Sequence, residues 1–404
     1  MKILFLGTVC DLKGYEALIA HCKTKTTVAT VVFETALLQG LRENGAEVDI
    51  LSYPMIPAFP NSKYLYWGNK KEKLDMGYTA TWLKTVNVPY LKQWSRCADA
   101  RRKLRKWIRE NQNEERVVLT YNVAPFLASM LLRECRRTNT KCCPIIPDLP
   151  RDMYVSYQQD TLQQRLKNRY LRQALQVQGE FDGYVYLTEA MKDVINPDKP
   201  YIVMEGVAED SGVQAPKLEE KAQPRAVMYA GRLHGQYGLL NLLDAFEAAN
   251  PENAELWLFG DGNAVETIEK RAEKNPSIRY FGRKTRDEIL EFERKATLLV
   301  NVRSVDEEFV KYSFPSKTIE YMLSGTPLLT TELPGIPKEY FDHVFHVENN
   351  TVECLAKGIR NALSNTQEQL WEFGSEARNF IKNEKNGKVQ SGRILRFLEE
   401  LNRL

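Results

Sequence analysis

The stretch Ala226–Phe246, AVMYAGRLHGQYGLLNLLDAF, changes period partway along. Ala226–Ala230 is a short apolar run of the kind that forms a buried strand, while Leu239, Leu242, Leu243 and Phe246 fall at i, i+3, i+4 and i+7 on one helical face. Gly231, Gly235 and Gly238 lie between them, where a chain leaving a strand must turn to enter a helix. Strand, glycine-rich turn and helix make a βα unit, so the fold depends on whether that unit recurs.

It recurs from end to end. In the first half, Lys2–Leu6, Val48–Leu51, Arg116–Thr120, Pro144–Pro147, Gly183–Leu187 and Tyr201–Met204 read as strands separated by helical patterns, among them Thr26–Asn44 closed by Gly45. In the second, Ala226–Ala230, Glu255–Phe259, Ile278–Phe281, Leu298–Asn301 and Pro327–Leu329 form a new series. This alternation predicts an α/β fold with parallel sheets covered on both faces. Ala208–Gln223 between the series is polar and carries Gly212, Pro216 and a charge run. The expectation is two Rossmann-like doubly wound domains, 1–205 and 206–384. A C-terminal helix at 385–404, with Ile394, Leu395, Leu398 and Leu401 on one face, is free to pack back on the N-terminal domain. Ligands of open α/β sheets sit at the carboxyl ends of strands, so two such domains predict a site in an interdomain cleft.

A chain of 404 residues exceeds one ordinary core, which agrees with two domains. Its net charge of +3 makes no case for nucleic acid. Seven cysteines without C-x-x-C spacing suggest reduced thiols. The start, MKILFLGTVCDLKG, lacks a secretory apolar core, and the apolar run Val117–Leu132 is broken by Asn122 and Pro125. The expected location is therefore cytoplasmic.

Two glycine-rich βα turns, Gly231–Gly238 and Phe259-Gly260-Asp261-Gly262-Asn263, can bring backbone amides close to a ligand, and Arg232 adds a fork-shaped cation suited to phosphate. The spacing fits neither Walker A nor G-x-G-x-x-G, and a plain βα turn with a surface arginine remains open. In Phe314–Pro327, FPSKTIEYMLSGTP, Ser313 can cap a helix, Pro315 suits its first turn and Gly325 closes it. Lys317 falls in the first turn, where the helix dipole favours an anion; a bound anion between it and the open amides would explain it. Glu320, three residues on, is placed to accept from ribose hydroxyls, although an ordinary i,i+3 surface pair has the same spacing.

Together GRL…YG, LFGDG, FGR and FPSKTIEYMLSGTPLLTT resemble the retaining glycosyltransferases of family 4, with the GT-B fold, and within them bacterial enzymes of polysaccharide and surface-glycan assembly. The resemblance covers nearly the whole chain and is strongest from about 225 to 340. It implies that Arg232 neutralises a donor diphosphate, that Gly231, Gly260, Gly262 and Ser316 line the nucleotide site, and that Gly282-Arg283 lies near the base. The family's second cation is a lysine before the glycine at 238; this chain has Tyr237, preceded by Gln236, and Lys317 is the candidate replacement. Glu320 matches the second glutamate of a Glu-x7-Glu motif, whereas Tyr312 stands where the first would be. Asp306, Glu307 and Glu308, or amides around Phe314–Ser316, could meet the sugar instead. In the first domain the resemblance assigns Gly7, Asn122 and Asp148 to the acceptor side, with Asp148 facing the sugar; an Asp capping a turn between prolines is the other reading. Glu205-Gly206 resembles the family's hinge segment.

No Asp-x-Asp pair occurs, and His21, His234, His343 and His346 offer no ligand set, so neither metal nor cofactor is expected. Fixed cations and helix amides would carry the leaving charge. Lys92–Arg109, KQWSRCADARRKLRKWIR, holds eight Lys or Arg against Asp99 alone. With Trp94, Ala98, Leu104, Trp107 and Ile108 it could lie on an anionic membrane at the inner face of the cell, or bury its apolar stripe and leave a solvated basic face. The implied activity is an EC 2.4, hexosyltransferase-type reaction. It moves a sugar from a nucleotide diphosphate donor, UDP-linked, to a glycan or lipid-linked hydroxyl with retention. The alternatives are an epimerase of the same fold and a non-catalytic nucleotide-sugar sensor.

Overall fold

The computed structural model describes residues 1–23, 29–149, 162–208, 214–235 and 238–404. They form two compact units: Met1–Val207 with Gly387–Leu404, and Ala208–Asn386.

The first unit is built on an eight-stranded sheet. From one edge its order is Tyr201–Val203, Tyr184–Tyr186, Lys141–Ile146, Arg116–Tyr121, Lys2–Gly7, Glu47–Ser52, Thr79–Trp82 and Lys71–Lys73. All neighbours are parallel except the last pair. The apolar runs form the central strands because both faces are covered: Ile3 and Phe5 pack with Leu37, Leu38 and Leu41 of helix Ala29–Glu43 and with Ile394, Phe397, Leu398 and Leu401 of helix Gly387–Arg403. A Cβ on Gly40 would lie 2.1 Å from the Gly387 carbonyl oxygen, so only glycine lets these two helices meet.

Two features depart from the sequence reading. The strand expected at Pro144–Pro147 begins at Lys141, because the fully buried Cys142 and Cys143 behave as small apolar residues. The segment 54–77, to which the sequence reading assigns no strand, contributes edge structure: Tyr66–Trp67 pairs antiparallel with Thr85–Val86, and Lys71–Lys73 with Thr79–Trp82.

The second unit has a six-stranded, wholly parallel sheet in the order Ile278–Tyr280, Ala254–Asp261, Arg225–Arg232, Leu298–Asn301, Leu328–Thr331, Phe345–Val347. Numbered along the chain this is 3-2-1-4-5-6, the order of dinucleotide-binding sheets. Alternate residues of its first strand serve opposite cores: Val227 and Tyr229 face Leu239, Leu242, Leu243 and Phe246, while Met228 and Ala230 face Ile319, Tyr321 and Met322. Ile278–Tyr280 stops one residue short of expectation, and Leu328–Thr331 runs two further, because Thr330 and Thr331 are also buried.

Candidate functional site

In the second unit the first strand lies between Ala254–Asp261 on one side and Leu298–Asn301 on the other, the point where the strand order reverses. The helices that follow diverge there and leave a crevice at the carboxyl ends of the strands. A cavity of about 200 Å³ opens at this end, lined by Ala230, Gly231, Phe259, Gly260, Arg283 and Lys317, among others.

Backbone proximity makes its floor. Gly260 has φ +131, and a Cβ there would stand 1.8 Å from the Gly231 carbonyl oxygen; any other residue would force the two strand ends apart. Gly231 is closed in by Lys317, whose Cε and Nζ would lie 3.4 Å from an added Cβ.

Lys317 opens helix Lys317–Ser324 and turns back over the strand end. Its ammonium donates to the Ala230 carbonyl oxygen and lies 5.3 Å from the centre of the Tyr321 ring. The Tyr321 hydroxyl, 3.1 Å from the same oxygen, is 3.2 Å from the Ala230 amide nitrogen. Burial pushes the Lys317 pKa below the usual lysine range, while Glu320 and Glu293 oppose that shift. Glu320 occupies the same first turn, half-buried. The N-cap is Ser316, exposed and without a side-chain cap bond; Ser313 ends the preceding 3-10 turn instead, because Pro315 already accepts from the Thr318 amide at 2.8 Å. Gly325 closes the helix at φ +77.

Arg232 ends its strand exposed, with no side-chain hydrogen bond or ion pair among the described residues. Arg283 is exposed and borders the cavity, and Gly262 packs so closely that a Cβ would meet the Leu233 carbonyl oxygen at 2.3 Å. Arg232, Gly231, Gly260, Arg283 and Lys317 therefore share one end of one sheet. Gln236 and Tyr237 lie outside the described residues. Asp306, Glu307 and Glu308 are exposed before and within the turn that ends at Tyr312. His343 stacks on Phe380 and His346 pairs with Glu332 at 2.7 Å, both of them structural partners. The sequence reading passed over Glu293, which is fully buried behind this corner.

In the first unit Gly7 ends the first strand and Asn122 directly follows the adjacent strand Arg116–Tyr121, at that sheet's own reversal of direction. Asn122 has φ +42, and its amide donates to Ile145 at 3.1 Å. Asp148 is exposed two residues beyond strand Lys141–Ile146. Beneath Gly7 lies another residue the sequence reading missed, Glu34. Fully buried, it accepts from the Thr8 amide at 2.8 Å and the Thr8 hydroxyl at 3.2 Å, fixing the loop after the strand. Burial pushes its pKa up to about 8 against those hydrogen bonds.

Helix Leu91–Glu110 does not carry one continuous apolar stripe. Leu104, Trp107 and Ile108 are core residues, whereas Trp94 is 64% exposed and Ala98 is exposed too. Most of its cations are engaged: Arg96 is buried, donating to Thr85 and Pro54, Arg101 and Arg105 pair with Glu134 at 2.7 Å, and Arg102 and Lys103 pair with Asp99. Among the described residues no helix is long and apolar enough to cross a membrane.

Residues 210–386 match the family model described as Glycosyl transferases group 1. Among solved structures the chain is similar to a sucrose-phosphate synthase from Thermosynechococcus elongatus, with TM-score 0.63, 13% identity and 99% of each chain covered. It is also similar to the catalytic domain of starch synthase IV from Arabidopsis thaliana bound to ADP and acarbose, with TM-score 0.62, 9% identity and 100% of both chains covered. HepE from Anabaena in complex with UDP gives TM-score 0.58 and 13% identity, over 99% of this chain and 100% of that one. The class is thus a GT-B fold of two Rossmann-like domains, the second of which matches the group 1 glycosyl transferase model. The chain has no match among curated proteins.

Proposed function

We propose that this chain is a retaining glycosyltransferase that uses a nucleotide diphosphate-sugar, UDP-linked, and works without a metal ion. The observation that carries the proposal is that Lys317 and Arg283 line the cavity at the strand ends where Gly231 and Gly260 bring backbone closest together, with the exposed Arg232 ending the strand directly after Gly231. Cations held beside a glycine floor suit a diphosphate, and donors fixed in advance can stabilise it as a leaving group. UDP bound to HepE and ADP bound to starch synthase IV are nucleotides of this chemistry on the same fold. In this reading Glu320 takes the ribose, and Gly262 and Ser316 complete the nucleotide site. Gly7, Asn122 and Asp148 are the candidates for meeting a glycan or lipid-linked acceptor hydroxyl. The exposed Trp94 supports contact of the same unit with an anionic membrane surface.

The test is release of nucleoside diphosphate from a panel of nucleotide-sugars, with and without a glycan acceptor fraction and in the presence of EDTA. Acceptor-dependent release should occur for one donor, survive EDTA and fall about 100-fold or more in Arg232→Ala and Glu320→Ala. Release by neither enzyme nor variants, or equal release by all three, would reject the assignment. Conversion of donor without acceptor would mark an epimerase.

A further inference from the structure

Helix Arg286–Lys295 packs against helix Lys317–Ser324, and its Ile289 borders the cavity beside Lys317. Glu293 is at i+4 from Ile289, one turn behind it on the same face. Its side chain is 0% exposed, and although the Glu320 carboxyl is near enough to act on it, neither Glu293 oxygen has a partner within hydrogen-bond distance and angle among the described residues. The backbone is held in place, since the Thr326 hydroxyl donates to the Glu293 carbonyl oxygen at 2.6 Å. Packing alone does not call for an acid here: a methionine would occupy similar space and bury no unpaired polar group.

The charged and titratable groups acting on Glu293 are Lys317, Glu320 and Tyr321 from the neighbouring helix and Arg286 from its own. Burial first, and then Glu320, push its pKa up to about 8. At neutral pH Glu293 is therefore uncharged, in a corner it shares with Lys317, Glu320 and Arg286, with Arg303 acting on Lys317 as well. Glu320 and Glu293 are the acids that act on Lys317, against Arg303, so while Glu293 is neutral only Glu320 holds the ammonium, which can turn from the Ala230 carbonyl toward an arriving anion. Once Glu293 ionises, a second carboxylate both holds the ammonium back and repels the anion.

We propose that Glu293 is a positioning residue acting through Lys317: as a neutral carboxyl it leaves the ammonium free for the donor diphosphate, and as a carboxylate it withdraws it. This rests on the reading of the cavity as a donor site. The proton lost by Glu293 above its pKa goes to solvent, and a diphosphate binding there must recover it.

The test is calorimetric titration of the full chain with UDP and with ADP from pH 7 to 9.5, in buffers of different ionisation enthalpy. The wild type should keep a constant Kd to about pH 8, then weaken by up to about tenfold per pH unit while taking up a proton. Lys317→Arg, whose guanidinium does not titrate, should keep this fall, and adding Glu293→Gln should remove both the fall and the uptake. Glu293→Met replaces the Gln variant if the latter does not fold. Equal pH profiles with and without Glu293, or loss of the fall in Lys317→Arg alone, would overturn the inference and leave the donor site standing. Failure of both nucleotides to bind at any pH would overturn the donor site, and this inference with it.

Discussion

Lys317 was legible in the sequence because it breaks a local rule. A cation in the first turn of a helix opposes the dipole, and its physical reason is an environment that the helix alone does not contain. The structure supplies part of that environment, with the Ala230 carbonyl and Tyr321 ring holding the ammonium at the strand ends. Glu293 and Glu34 carried a fainter signal of the same kind. Glu34 interrupts the stripe of Val31, Leu37, Leu38 and Leu41, and Glu293 continues the face of Ile289, so each is an acid on a core-facing line. Acids on amphipathic helices are so often solvated that spacing alone cannot separate the two cases. Burial has a thermodynamic consequence for Glu34. Its folded pKa, about 8, lies above the ordinary carboxyl value of 4.5, so between these pH values the unfolded chain is ionised while the folded one keeps its proton. Stability from this group is therefore lost as pH rises through that window, by up to about 1.4 kcal/mol per pH unit. Urea unfolding of the wild type at pH 5.5 and 7.5 should show a larger drop than Glu34→Gln shows. Matching drops would contradict a buried, protonated Glu34.

At the scale of elements, the parallel strands were readable because burial on both faces leaves continuous apolar runs such as Leu298–Asn301. The edge pieces were not. Lys71–Lys73 is KEK, mostly exposed, and Tyr66–Trp67 is two residues long, so neither run has a period to detect. Helix Leu91–Glu110 illustrates a different limit: its charge run was visible, but not that Glu134 and Asp99 occupy four of its cations. Attraction to an anionic surface should accordingly be modest, with the exposed Leu91 and Trp94 supplying most of the contact. In co-sedimentation with phosphatidylglycerol vesicles, Trp94→Glu should reduce bound protein several-fold. Binding unchanged by that substitution, or absent in the wild type, would contradict membrane contact through this helix.

At the scale of the molecule, the two units repeat one design, a sheet whose order reverses about its first strand. That repetition was legible because both strand series restart from an apolar run leading to glycine, Lys2–Gly7 and Arg225–Arg232. The corner proposed as the donor site was conspicuous in the sequence for its glycines and cations; Gly7, Asn122 and Asp148, proposed for the acceptor, have no comparable cluster of charge among the described residues. The central claim is that the second unit holds a nucleoside diphosphate at Lys317. Equilibrium titration with UDP at pH 7 tests it most directly, comparing the wild type with Lys317→Ala. Saturable one-to-one binding that weakens at least about tenfold in the variant, the loss of one charge-assisted contact, is the predicted result. Equal affinity in the two proteins, or no binding to the wild type, would contradict it.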